Sequence, residues 1–254
     1  MSKNFELLLQ AQQENRRADS SPVAGRNKDG WNVTAAPAEM PIPLPGPGAV
    51  REQISMLVRR LFLLPEGVRA AVLAGVESGD GNSWITMECA RTLAASVPGP
   101  VCVVDGNLHT PALHRYFGVP SRRGLRDAAF QGANICEFAE PLPKFRNLWL
   151  MTAGTVTAKG TEAAALEQLC SRMADLRAKF DYLLIDGPPL HFCGDAIMLG
   201  RAADGVALVL AEQSTHRERA RYAVQELTKA NVRILGVVLN KRTFPIPQKI
   251  YDKI

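Results

Sequence analysis

No stretch of this 254-residue chain approaches the roughly 20 consecutive apolar residues that a membrane-crossing helix needs. The first residues also lack the apolar core of an export signal. The expectation is a chain soluble by itself, with any membrane contact made through a partner or a surface. Long runs of lysine and arginine are missing as well. The net charge of +5 is spread along the chain, so no nucleic-acid partner is expected. Cysteine is sparse. The five cysteines are odd in number and none has the spacing of a CxxC pair, which excludes a disulfide framework and a zinc ribbon. They read as small buried residues of a reducing compartment, which predicts a cytoplasmic protein. The four histidines are scattered, none at metal-pair spacing with another. No repeat at solenoid spacing is found.

What is present is an ordinary core-forming composition, 46% hydrophobic and 22% charged. Residues 1–17 predict a short amphipathic helix, with Phe5, Leu8 and Leu9 on one face, that docks onto its own domain or onto a partner. Residues 18–48 change in character. Pro22, Pro37, Pro41, Pro43, Pro45 and Pro47, with glycines and few apolar residues, predict a flexible linker. A folded domain is expected over 49–243 and a tail over 244–254. Within the domain, short apolar runs at 69–75, 101–104, 148–152, 182–185, 206–210 and 234–239 read as buried strands. Helical periodicity covers 50–64, 82–96, 162–179 and 215–230. That alternation predicts an α/β domain: a doubly wound, mainly parallel sheet with helices on both faces and its ligands at the C-terminal strand edge.

Three segments fall at that edge. The strand-to-helix turn from Gly75 to Trp84 carries Gly79 and Gly81. These let the backbone curl so that its N–H groups meet the positive end of the next helix, an arrangement suited to phosphate. The usual phosphate loop ends in Gly-Lys-Ser/Thr; here Gly81 and Ser83 keep their places and Asn82 stands where lysine belongs. A plain structural turn remains the other reading of this segment. Asp105 follows one apolar strand and Asp186 another. A single aspartate there would serve to cap the next helix; two beside a phosphate loop point to a Mg²⁺ shell.

The order of these segments, from about Arg51 to Arg242, resembles the MinD/ParA-like ATPases. Within them it resembles the bacterial tyrosine kinases of capsule and exopolysaccharide synthesis. Asp105-Gly106-Asn107-Leu108-His109-Thr110-Pro111 looks like the family's D-x-D-x-R-x-P motif, and Asp186-Gly187-Pro188-Pro189 like its D-x-P-P motif. Echoes at Gly124-Leu125-Arg126-Asp127 and Gly236-Val237-Val238-Leu239-Asn240 extend the match. The resemblance implies a P-loop fold and ATP or ADP with Mg²⁺ as cofactor. The nucleotide would be cradled by Gly79, Asp80, Gly81, Asn82, Ser83 and Trp84, and Asn240 would read its base. Ser83, Asp105 and Asp186 would hold the metal, and Asp105 and Asp186 would be the catalytic residues of an active enzyme. It also implies a partner, an inner-membrane polysaccharide co-polymerase that sets chain length, peripheral placement at that membrane through it, and a homodimer.

The departures from the pattern bear on activity. Asn82 replaces lysine and Trp84 replaces a hydroxyl residue. Asn107 replaces the second aspartate and His109 the arginine. In the early E-x-x-R-x-x-R pattern, Glu52 is followed by Ser55 and Val58. The tail 244–254 holds one tyrosine, Tyr251, where active members carry a cluster. The reading is a degenerate, nucleotide-binding member that regulates or scaffolds polysaccharide synthesis and export with weak or no phosphoryl transfer. The alternative is an active autokinase or ATPase in which another cation, such as Arg115, Arg122 or Arg123, replaces the lysine.

Overall fold

The computed structural model describes residues 48–241 apart from 130, 132, 156–160, 191–192 and 213. The expected N-terminal helix, the linker up to residue 47 and the tail with Tyr251 lie outside the described residues; Gly48, expected as the last linker residue, opens the first helix. Seven strands form one sheet in the order β3-β4-β2-β5-β1-β6-β7. They are β1 (Ala70–Gly75), β2 (Val101–Asp105), β3 (Glu140–Pro141), β4 (Leu148–Met151), β5 (Tyr182–Asp186), β6 (Val206–Ala211) and β7 (Ile234–Asn240). All pairings are parallel except β3 with β4. The doubly wound, mainly parallel sheet expected from the alternating pattern is therefore present. Its central strands are short runs of Val, Leu, Ile and Ala because both faces are covered: every residue of β1 and β2 is buried.

Two apolar layers result. On one face α1 (Gly48–Val58), α2 (Asn82–Ser96) and α3 (Leu113–Phe117) pack through Ile54, Val58, Ile85, Leu93 and Phe117. On the other face lie α4 (Leu125–Ala128), α5 (Thr161–Ser171), α6 (Met173–Lys179), α7 (Cys193–Ala202) and α8 (Arg217–Lys229), contributing Leu125, Leu166, Leu169, Leu176, Leu199 and Leu227. No helix among the described residues is long and apolar enough to cross a membrane.

The local differences from the sequence reading have physical causes. The helix expected over 50–64 is regular to Val58 and then widens into a π-turn, Arg59–Leu63, closed by Leu64 N–H donating to the Arg59 carbonyl at 3.1 Å. The widening lets the adjacent Leu61 and Phe62 both reach the core. The helix expected over 162–179 is interrupted at Arg172, whose guanidinium is committed to the Ala133 carbonyl at 2.7 Å. The short α3, α4 and β3 lie below the length at which periodicity is readable, and α7 is a helix that the periodicity reading does not include.

Asp204 braces the sheet at the end away from the ligand edge. Its carboxylate accepts from the Arg69 and Ala70 N–H groups, both at 2.8 Å, and from Arg177 at 2.8 Å. Burial alone would push its pKa up; the Arg177 bond and the two backbone donors outweigh burial and hold it below the ordinary value. A depressed folded-state pKa gives stability that is present above the unfolded value and lost as pH falls through the folded one. Asp204→Ala should cost about 1.5–3 kcal/mol in urea unfolding at neutral pH. The deficit should shrink when both proteins are unfolded below pH ~4; a deficit that stays constant into acid would refute the brace.

Candidate functional site

The turn between β1 and α2 sits at the centre of the strand-end edge, with β5 on one side of β1 and β6 on the other. Gly79 and Gly81 have φ of 88° and 87°, a left-handed conformation that glycine takes without strain. A Cβ at Gly81 would also lie 2.3 Å from the Asn240 amide nitrogen. No side chain caps the first turn of α2, so its N–H groups are not consumed by a cap. Asp80 is buried and faces inward. It accepts from the Glu77 N–H at 2.8 Å and from the Thr215 hydroxyl at 2.9 Å, which makes its carboxylate a brace of the loop. Trp84 packs against the α1–α2 apolar layer.

The Asn82 side chain turns inward, beneath the loop. Its amide nitrogen lies 2.9 Å from the Leu73 carbonyl, 2.5 Å from Asp186 and 3.2 Å from the Gly187 carbonyl, three acceptors that share its two hydrogens. The short side chain therefore closes the floor of the loop. The Ser83 hydroxyl also bonds Asp186, and Thr86 donates to the same carboxylate at 3.4 Å.

Asp105 and Asp186 are register partners on adjacent strands, and neither is exposed. One oxygen of Asp105 accepts from Ala112 N–H at 3.1 Å and Leu113 N–H at 3.0 Å, so it also caps α3. Asp105 Oδ1 and Asp186 Oδ2 are buried without a hydrogen-bond partner. Burial pushes the Asp105 carboxyl up to about 7, against the pull of the Leu113 and Ala112 bonds and of the Arg126 and Arg115 charges. Asp186 is raised well above the ordinary carboxylate range, by burial first and then by Asp105 beside it. Two buried carboxyl groups with one unmatched oxygen each, next to a serine hydroxyl, form a donor set of hard oxygens that fits Mg²⁺.

The residues of the second motif are otherwise engaged. Asn107 accepts from the Thr110 N–H at 3.4 Å and from its hydroxyl at 3.3 Å, ordering the loop. His109 meets Asp195 at 3.0 Å, which links the loop after β2 to the start of α7. Of the arginines considered as replacement cations, Arg115 is near enough to act on Asp105, whereas the Arg123 guanidinium lies 4.8 Å over the Phe138 ring. A further cation is Arg126, which the sequence marks only as part of a motif echo. It is buried, donates to the Leu108 carbonyl, lies 3.6 Å from Glu162 and acts on Asp105. Its chemistry was invisible in the sequence because its partner is a backbone carbonyl. Asn240 donates to the Asp80 carbonyl at 2.8 Å, and Lys241 to the Gly79 carbonyl at 2.7 Å.

A raised folded-state pKa stabilises the protein fully below the unfolded value, and that contribution is lost as pH rises toward the folded one. Wild-type stability should therefore fall between pH ~4 and pH ~7 through Asp105. Asp105→Asn keeps an acceptor for the α3 cap and carries no charge. It should flatten that slope and add roughly 1–4 kcal/mol at pH 8, read by thermal unfolding. A variant with unchanged slope would show that the pair is not charge-strained.

No family model matches the chain. It is 32% identical to tyrosine-protein kinase CpsD of Streptococcus pneumoniae serotype 4 over 192 residues, 75% of this chain and 83% of that protein. It is 26% identical over 176 residues to the putative tyrosine-protein kinase CapB of Staphylococcus aureus, 68% of this chain and 75% of that one. Among solved structures, the chimerical protein CapA2B2 superposes with a TM-score of 0.71 at 18% identity, over 80% of this chain and 88% of that one. The septum site-determining protein MinD of Pyrococcus horikoshii, complexed with Mg-ADP, gives 0.58 at 22% identity, over 73% and 76%. With the MinD-like sheet, the glycine turn and the paired aspartates at its edge, the chain belongs to the bacterial tyrosine-protein kinase family.

Proposed function

We propose that this chain is a nucleotide-binding, catalytically degenerate member of the family that regulates or scaffolds bacterial exopolysaccharide or capsule synthesis and export. It would work at the inner membrane through a polysaccharide co-polymerase partner, and as a homodimer when nucleotide is bound. The observation that carries the reading is the orientation of Asn82. An amide held by the Leu73 carbonyl, Asp186 and the Gly187 carbonyl brings no charge to a transferring phosphoryl group. Loss of one donor aimed at developing charge costs roughly 10²–10³ in rate by analogy with oxyanion holes. Asn107, without a carboxylate and engaged by Thr110, supplies no proton acceptor. Binding suffers less, because the loop backbone, Ser83 and the two aspartates are retained.

Bound Mg²⁺ would supply positive charge to offset that of the phosphates. Ser83, Asp105 and Asp186 would hold it, while Gly79 to Trp84 would surround the phosphates, with Asp80 contributing through its backbone. Asn240 has one amide hydrogen committed to the loop and keeps its carbonyl side for a base. The rival reading, an active autokinase or ATPase, draws on the same aspartate pair and needs a cation from outside the loop.

Titration calorimetry with Mg·ATP should show binding that Asp186→Asn weakens at least tenfold, while phosphate release stays at background. Asn82→Lys should restore the ammonium, raise Mg·ATP affinity about ten- to hundredfold and bring turnover above background. Wild-type turnover lost in Asp186→Asn would favour the active enzyme, and no binding at millimolar Mg·ATP would end the nucleotide reading.

A further inference from the structure

The positive charge missing from position 82 has a neighbour that the sequence motifs do not mark. β7 ends beside the phosphate loop and presses on it with two successive side chains. The Asn240 amide donates to the Asp80 carbonyl at 2.8 Å, and the Lys241 ammonium donates to the Gly79 carbonyl at 2.7 Å. Lys241 holds a left-handed backbone with φ of 54°, a conformation that a residue with a side chain rarely adopts and that surrounding structure must enforce. Its side chain is exposed, on a flexible stem, and an ammonium carries three donors, of which Gly79 takes one.

The other cations near the site are less suited to reach a ligand seated in the loop. Arg126 is buried beneath the Leu108 carbonyl beside Glu162, Arg123 is stacked on Phe138, and Arg219 of α8 is paired with the Glu77 carboxylate of the loop at 3.3 Å, which offsets its charge. Arg115 acts on Asp105 from the far side, two strands from the β6–β7 flank. The unpaired oxygens of Asp105 and Asp186, both fully buried, are acceptors that suit a cation such as the Mg²⁺ a polyphosphate carries, so they leave the phosphate charge itself to other residues.

We infer that Lys241, placed on the phosphate loop by the end of β7, performs the polyphosphate-binding duty of the lost loop lysine. It would leave the Gly79 carbonyl for the phosphate oxygens when a triphosphate enters. This rests on the nucleotide-binding reading and assigns the residue that discriminates a polyphosphate from a bare nucleoside. Lys241 is a binding residue here; no step of phosphoryl transfer is assigned to it.

The test is titration calorimetry of the full chain with three probes: Mg·ATP, inorganic tripolyphosphate with Mg²⁺, and adenosine. Lys241→Met should weaken both polyphosphates about ten- to hundredfold, leave adenosine unchanged, and flatten the salt dependence of Mg·ATP binding. Lys241→Arg should recover most of the loss, since the charge is kept. In an Asn82→Lys background the Lys241→Met penalty should shrink to less than threefold, because the two ammonium groups would share one duty. Equal Mg·ATP affinity in wild type and Lys241→Met would overturn the inference with the nucleotide reading intact. So would a parallel loss of adenosine, which would make Lys241 a tether of the loop. Wild-type protein that binds none of the three probes would remove the nucleotide reading itself and this inference with it.

Discussion

Two carboxyl groups side by side inside a protein repel each other and lose their water, and something must compensate. Asp105 and Asp186 are placed in that position by strand register, at the ends of β2 and β5. The surrounding structure answers in neutral currency. Amide hydrogens from Asn82, Ala112 and Leu113 and hydroxyls from Ser83 and Thr86 take the oxygens they can reach. Arg126 lends a charge from below the second loop. The floor of the phosphate loop and the start of α3 are tied to this pair.

That arrangement also explains what the lost lysine changes. A lysine at position 82 would neutralise one carboxylate and keep both ionised. An asparagine can donate hydrogen bonds but leaves the pair with a charge deficit that only a proton or a cation can settle. The substitution thus shifts part of the work of the site from the loop to whatever binds there. The proposed reading, in which the site captures a charged ligand more readily than it turns one over, draws on that balance of charge.

Much of this was legible in the amino-acid sequence, for reasons that can be traced. The buried strands read clearly because a parallel sheet covered on both faces needs uninterrupted runs such as Val101–Val104 and Leu183–Ile185. The spacing of Gly79, Gly81 and Ser83 and the two strand-end aspartates were equally visible, being local. What stayed hidden depends on contacts distant in sequence. Nothing local marks Asp80 as a loop brace, since its partner Thr215 is 135 residues away. The same holds for Arg126 with Leu108, and for Lys241 with Gly79 across 162 positions. The fate of Asn82 was half legible: its identity was plain, but its downward turn onto Leu73 and Gly187 required the fold.

The two margins of the sheet are unlike in one further respect. At one margin β3 is two residues long, antiparallel, and contains Pro141, which has no N–H to offer a newcomer. At the other, β7 runs seven residues with Val237 and Leu239 open to solvent. Among the described residues the sheet is thus blunted where it is farthest from the phosphate loop, and its long margin is the strand whose end meets Asp80 and Gly79 through Asn240 and Lys241, so a shift along that strand would be felt in the loop.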